Sequence, residues 1–133
     1  RGMLREAMIR TVAQVALLVL DYDEGLSFYR DRLGFTVLED TALPTKRWVR
    51  LGLGSGTELL LSRAETDAQR AVVGHQADGR VFLYLHTDDV DADVERLRSE
   101  GVTIDEPPRN EPYGKVAVIR DLYGNRLDLI EPR

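Results

Sequence analysis

The chain has no cysteine. That excludes a disulfide framework, thiolate metal sites and thiol nucleophiles, and it suits a cytoplasmic protein. No apolar run comes near the roughly 20 residues needed to span a bilayer, so no membrane segment is expected. The opening RGMLREAMIR lacks the long apolar stretch of a signal peptide; residues 1–7 read as a frayed tail and Met8 as a second start. No run of Lys or Arg is present and the net charge is −5, which argues against a nucleic-acid surface. HExxH, a phosphate-cradling Gly-rich loop and a Ser-His-Asp pairing are all missing.

What is present is a repeat. The 133 residues fit one compact domain or two small repeats sharing a core, and a chain of that size buries roughly two-thirds of its unfolded surface without staples. TVAQVALLVL (11–20) is a β-branched, apolar strand. DYDEGLSFYRDRLG follows as a helix: Asp21 or Asp23 is the N-cap, Leu26, Phe28, Tyr29 and Leu33 form the apolar stripe, and Gly34 ends it. Strands FTVLED, KRWVRLGL and TELLLS follow, punctuated by Pro44 and GSG. The same order returns in RVFLYLHT, the helix DDVDADVERLRSEG, VTID, YGKVAVIR and NRLDLIE, offset by 68 residues from Asp21 to Asp89. The expected fold is α+β: two βαβββ modules in tandem, 8–62 and 80–133, joined by a linker over 63–79 in which ETDAQR makes a helical turn. Each helix covers the outer face of its sheet, and the opposite faces curve around a cleft.

Strand alternation assigns side chains to those faces. Ala13, Val15, Leu17 and Val19 pack on the helix, which leaves Gln14, Ala16 and Leu18 to the cleft. The same parity gives the cleft Glu58 and Leu60, Trp48 and Arg50, then Phe82, Tyr84 and His86, and finally Arg126, Asp128 and Ile130.

VALLVLDYDEGLSFYRDRLGF, TDDVDADVERLRSEGV and RDLYGNRLDLIEP together resemble the vicinal oxygen chelate superfamily of glyoxalase I, bleomycin-resistance proteins and extradiol dioxygenases, over nearly all of residues 8–132. The resemblance implies a small-molecule ligand and a homodimer. Its metal enzymes place one ligand on the first and last strand of each module, positions that fall here on Gln14, Leu60, Phe82 and Asp128. Gln14 and Asp128 offer oxygen to a hard divalent ion; Leu60 and Phe82 offer nothing, whereas a catalytic metal normally has three protein ligands and an open position. His86 lies about 13 Å along its strand from Phe82, at ~3.3 Å per residue. Glu58 and Glu111 are the other candidates to complete a shell. The cofactor expectation is none, or a weakly bound divalent metal.

PPRNEPYG (107–114) and GRVF (79–82) match a subgroup of the same superfamily. Arg109, Glu111 and Tyr113 either form a lid over the cleft mouth, with Arg109 recognising an anion, or belong to a proline-stiffened loop in which Arg109 and Glu111 are simply paired. Trp48 is either a stacking platform or an ordinary half-buried Trp; with Leu60, Phe82 and Tyr84 it would line an apolar cleft. Asp128 has three readings, in order: paired with Arg126 or Arg80, hydrogen-bonded to a ligand, or a general base raised in pKa by apolar neighbours. His75 reads as solvated and His86 as a surface or capping group. Arg47, Arg50, Arg80 and Arg109 are expected to make the cleft locally positive, which favours an aromatic or acidic metabolite over cationic bleomycin. The leading expectation is a binder or metal-free catalyst. The alternative is a metal-dependent lyase, isomerase or dioxygenase that chelates two substrate oxygens.

Overall fold

A computed structural model describes residues 7–133; the expected tail, apart from Ala7, lies outside the described residues. The first module comprises β1 (Gln14–Val19), α1 (Tyr22–Ser27) running into a π-helical turn (Phe28–Arg32), β2 (Thr36–Ala42), β3 (Arg47–Gly52) and β4 (Glu58–Arg63). The linker holds α2 (Asp67–Val72). The second module comprises β5 (Val81–His86), α3 (Val90–Ser99), β6 (Ile104–Glu111), β7 (Gly114–Arg120) and β8 (Arg126–Pro132). Each module is a four-stranded mixed sheet, sheet A in the order β1-β4-β3-β2 and sheet B in the order β5-β8-β7-β6. The first and last strands of each module run parallel.

Local chemistry sets these elements. Asp21 caps α1 by accepting from the Glu24 N–H at 2.9 Å, and Asp89 caps α3 by accepting from Ala92 at 3.0 Å. In the linker, Thr66 and Gln69 form a reciprocal capping box on α2. Leu17 and Val19 of β1, Leu59 and Leu61 of β4, and Leu127 and Leu129 of β8 face the helices and are buried in one core that both modules share. Ala13, expected on that face, precedes β1 and is exposed.

PPRNEPYG is a strand where the sequence suggested a loop. β6 runs to Glu111, and the register slips between Glu106 and Arg109, where Pro107 and Pro108 fall. β6 is the edge of sheet B, and an edge with bulges is where a sheet tolerates residues lacking an N–H. A second bulge sits on β5: Val81 pairs Arg126 and Leu83 pairs Leu127, so Phe82 is the extra residue, and it packs against the core.

The two modules are fastened on their helix sides and through the linker. The Tyr123 hydroxyl, on the β7–β8 turn, donates to Glu24 at 2.6 Å and accepts from the Leu20 N–H at 3.0 Å. Arg96 of α3 donates to the Arg32 carbonyl at 2.9 Å. Gly74 (φ 83°) packs so closely under that turn that a Cβ would collide with the Tyr123 carbonyl oxygen. Beneath the turn, the buried Asp121 accepts from the Tyr29 hydroxyl at 2.7 Å, the Asn125 side-chain amide at 2.9 Å, and the Tyr123 and Asn125 backbone N–H groups, both at 2.9 Å. Burial and the Asp121 carboxylate push the Tyr29 hydroxyl pKa well above its usual value.

Candidate functional site

No hydrogen bond or ion pair among the described residues joins the open face of sheet A to that of sheet B, so each face is its own surface. On sheet B, Asp128 stands in β8 between Tyr84 of β5 and Val118 of β7. It is 8% exposed, while Tyr84 is 63% exposed. Among the described residues Asp128 has no hydrogen-bond or ion-pair partner. Burial raises its pKa above the ordinary carboxylate value; Arg109 and Arg126 pull it down, and Glu106 adds to the rise.

The pairing expected between Asp128 and Arg126 or Arg80 does not form. Arg126 donates instead to Asp105 at 2.9 Å and Glu106 at 2.6 Å, and Arg80 lies exposed ahead of β5. The charges along β6 form one chain: Arg120 to Asp105 (3.0 Å), Asp105 to Arg126, Arg126 to Glu106, Glu106 to Arg109 (2.8 Å), Arg109 to Glu111 (2.8 Å). Burial alone would raise the Asp105 carboxyl, but Arg126 and Arg120 outweigh it and hold it low. Three guanidiniums balance three carboxylates in this chain, and Asp128 stands outside it. Tyr113 lies exposed in the β6–β7 hairpin next to this row.

Sheet A is similar. Arg50 donates to Glu58 at 2.8 Å and to Glu39 at 2.8 Å, and the Gln14 amide reaches Glu58 at 3.4 Å. Arg50 holds the Glu58 carboxyl below the usual carboxylate range, against the opposing effect of burial and with help from Gln14. Leu60 lies between Ala16 of β1 and Arg50 of β3, and Trp48 is half-buried two residues before Arg50.

The expected positive cleft is therefore corrected. Arg47 is held by Asp23 and Asp40, Arg50 by Glu39 and Glu58, and Arg109 by Glu106 and Glu111. Each of these three guanidiniums meets two carboxylates and leaves no excess positive charge. Arg80, the fourth, is exposed ahead of β5 and makes no ion pair among the described residues, so a single arginine is too little to disfavour a cationic ligand. Two cations that the sequence did not single out, Lys46 and Arg63, border the end of sheet A beside Trp48 and Tyr22.

The donors do not fit a divalent metal. Leu60 and Phe82 carry no donor atoms, which leaves only Gln14 and Asp128 at the four positions, and the candidates to complete a shell, Glu58 and Glu111, are each bound to an arginine. Among the described residues no group of three or more His, Cys, Asp or Glu side chains is placed to hold a metal ion. No described helix is long and apolar enough to cross a membrane.

Two tandem βαβββ modules, each with a helix on one sheet face and the other face open, define a double-module α+β scaffold. The chain belongs to the Glyoxalase/Bleomycin resistance protein/Dioxygenase superfamily, whose profile matches residues 11–129. It is 44% identical to an uncharacterized protein of Shewanella frigidimarina, over 93% of this chain and 95% of that one. It is similar to the crystal structure of TnmS3, an antibiotic binding protein from Streptomyces sp. CB03234, with a TM-score of 0.79 and 31% identity over 96% of this chain and all of the other. A glyoxalase I variant from Zea mays shares the fold at a TM-score of 0.71 and 20% identity, over 91% of this chain and 44% of that one.

Proposed function

We propose that the protein binds a small aromatic or planar molecule bearing a cation or a neutral hydrogen-bond donor, and that Asp128 anchors it. The observation that carries this reading is the nearly buried Asp128 carboxylate with no partner of its own. A buried charge without a partner is costly to the fold, and a ligand that donates to it relieves that cost. Tyr84 on sheet B, and Trp48 and Leu60 on sheet A, supply the apolar surface; Phe82, expected beside them, is turned toward the core by the β5 bulge. Gln14, Arg50, Arg109, Glu111 and Tyr113 form the polar rim, as small-molecule sites require. The role is binding, without a tightly held divalent ion, because the residues at the family's ligand positions offer too few donors. The similarity to TnmS3, an antibiotic binding protein, supports this role. A homodimer completes the cleft by bringing a second copy's open face opposite each half.

The single tryptophan, Trp48, reports on the cleft. Titration with bleomycin and a panel of planar cationic antibiotics should give saturable quenching with at least one of them. Asp128→Ala should weaken that binding by about ten- to a hundredfold, as expected from loss of a charged hydrogen bond worth roughly 1.5–3 kcal/mol. Equal affinity in Asp128→Ala would overturn the anchor. One divalent ion per chain that survives gel filtration and is lost in Asp128→Ala would favour the metal-dependent lyase, isomerase or dioxygenase instead. Light scattering should give twice the 15.0 kDa chain mass; a monomer that still binds would reject the dimeric cleft.

A further inference from the structure

We infer that the protein has a second binding site, for a small aromatic carboxylate, in the cavity between the start of α1 and the ends of β3 and β4. The cavity has a volume of about 200 Å³. A cavity of ~150 Å³ already takes a benzene molecule, so a single ring with one carboxylate fits. Trp48 and Tyr22 supply two aromatic faces and Leu60 an apolar wall.

The charges select the ligand's sign. Three cations border the cavity. Arg47 is neutralised by Asp23 at 2.8 Å and Asp40 at 2.9 Å. Lys46 and Arg63 make no ion pair among the described residues. The Lys46 ammonium lies 5.7 Å from the centre of the Trp48 ring and the Arg63 guanidinium 6.0 Å from that of Tyr22. Glu65, the one carboxylate on the lining, pairs with neither of them, so both cations are free to meet an anion, although Glu65, Asp23 and Asp40 together equal the three cations in number. A ring in the cavity lies beside both cations, and Arg63 can take its carboxylate with two parallel hydrogen bonds. Arg47, Arg50 and Arg109 are already matched by acids. Lys46 and Arg63 are unpaired among the described residues and stand beside two aromatic rings, so this end of sheet A is where an aromatic anion is favoured. The site shares Trp48 and Leu60 with the apolar surface of the proposed cleft, but it does not use Asp128.

The test is an NMR titration of the full chain with benzoate, and with benzamide as the neutral isostere, following the indole N–H resonance of Trp48. Benzoate should shift it saturably, with a Kd on the order of 1 mM given so few heavy atoms, and benzamide should bind at least fivefold more weakly. Arg63→Gln and Lys46→Gln should each weaken benzoate at least threefold. Both positions are exposed, so thermal melts should confirm that the variants fold. Arg70→Gln, a surface cation on α2, and Asp128→Ala should leave benzoate binding unchanged. A linear shift without saturation, equal binding of benzamide, or no effect of Arg63→Gln would overturn the site. Loss of benzoate binding in Asp128→Ala would assign it to the Asp128 cleft instead.

Discussion

Asp121→Ala is expected to lower stability by about 3–5 kcal/mol, because it strands a cluster of donors at once. Asp121 is 6% exposed and accepts four hydrogen bonds, from Tyr29, Asn125 and two backbone N–H groups of the β7–β8 turn. The substitution removes the only hydrogen-bond partner described for the Tyr29 hydroxyl and leaves the turn without its internal acceptor. Asn125 Oδ1 is a buried acceptor without a donor, so it is the one spare acceptor of the cluster and can take up at most part of what Asp121 leaves unpaired. Domains of this size are stable by only about 5–15 kcal/mol, so the melting temperature should fall by roughly 10–20 °C. Tyr29→Phe removes one donor together with its bond and should cost only about 1 kcal/mol. Urea unfolding of the three proteins distinguishes these cases. A loss below about 1 kcal/mol for Asp121→Ala would mean that water replaces the carboxylate without penalty.

Asp128→Leu is expected to do the opposite and stabilise the protein at neutral pH, by up to about 1 kcal/mol, because the carboxylate oxygens still reach solvent and the burial cost is partly screened. Burial raises the folded-state pKa of Asp128 above its unfolded value of about 3.9. Between those two values the folded state holds more protons than the unfolded state, so stability falls as pH rises through that window and stays low above it. Below the unfolded value the group is protonated in both states and the penalty vanishes. The gain from Asp128→Leu should therefore be largest at pH 7–8 and shrink toward acid. Asp128→Asn, which keeps the shape, should flatten the pH dependence in the same way with a smaller gain. Stability curves from pH 3.5 to 8 that run parallel for wild type and Asp128→Asn would show that the carboxylate is satisfied in solution. A residue whose removal strengthens the fold yet weakens ligand binding carries the stability–function conflict expected of a binding site.

The sequence exposed what is local. Strand alternation and the Asp21 and Asp89 caps depend on residues a few positions apart, and the 68-residue repeat is a pattern written along the chain. The caps and the repeat are present in the structure, and the alternation holds except at the β5 bulge and at Ala13. What depended on how distant strands align was not legible. Pro107 and Pro108 suggested a loop, because a strand with two prolines is stable only at an edge with bulges, and edges are set by sheet order. Arg126 looked like the partner of Asp128 because it lies two positions away on the same strand face. The edge strand β6, which lies beyond β7 and which the sequence did not show as a strand to Glu111, offers Asp105 and Glu106 instead. For the same reason, Lys46 and Arg63 stood out only once the folded chain had supplied acids to Arg47, Arg50 and Arg109 and not to them.

Gln76, in the connector between the modules, has a consequence for how the chain behaves in a crowd. Its side-chain amide donates to the Ala16 carbonyl at 3.0 Å and accepts from the Leu18 N–H at 2.7 Å. These are the two bonds that a residue of an added strand would make to β1, which is the outer strand of sheet A. An outer strand with unmatched backbone groups is a template on which further copies can stack without limit. One glutamine imitates a peptide group and closes that template. The protein can then keep its sheet faces open to small molecules without inviting its own kind to polymerise along the strand.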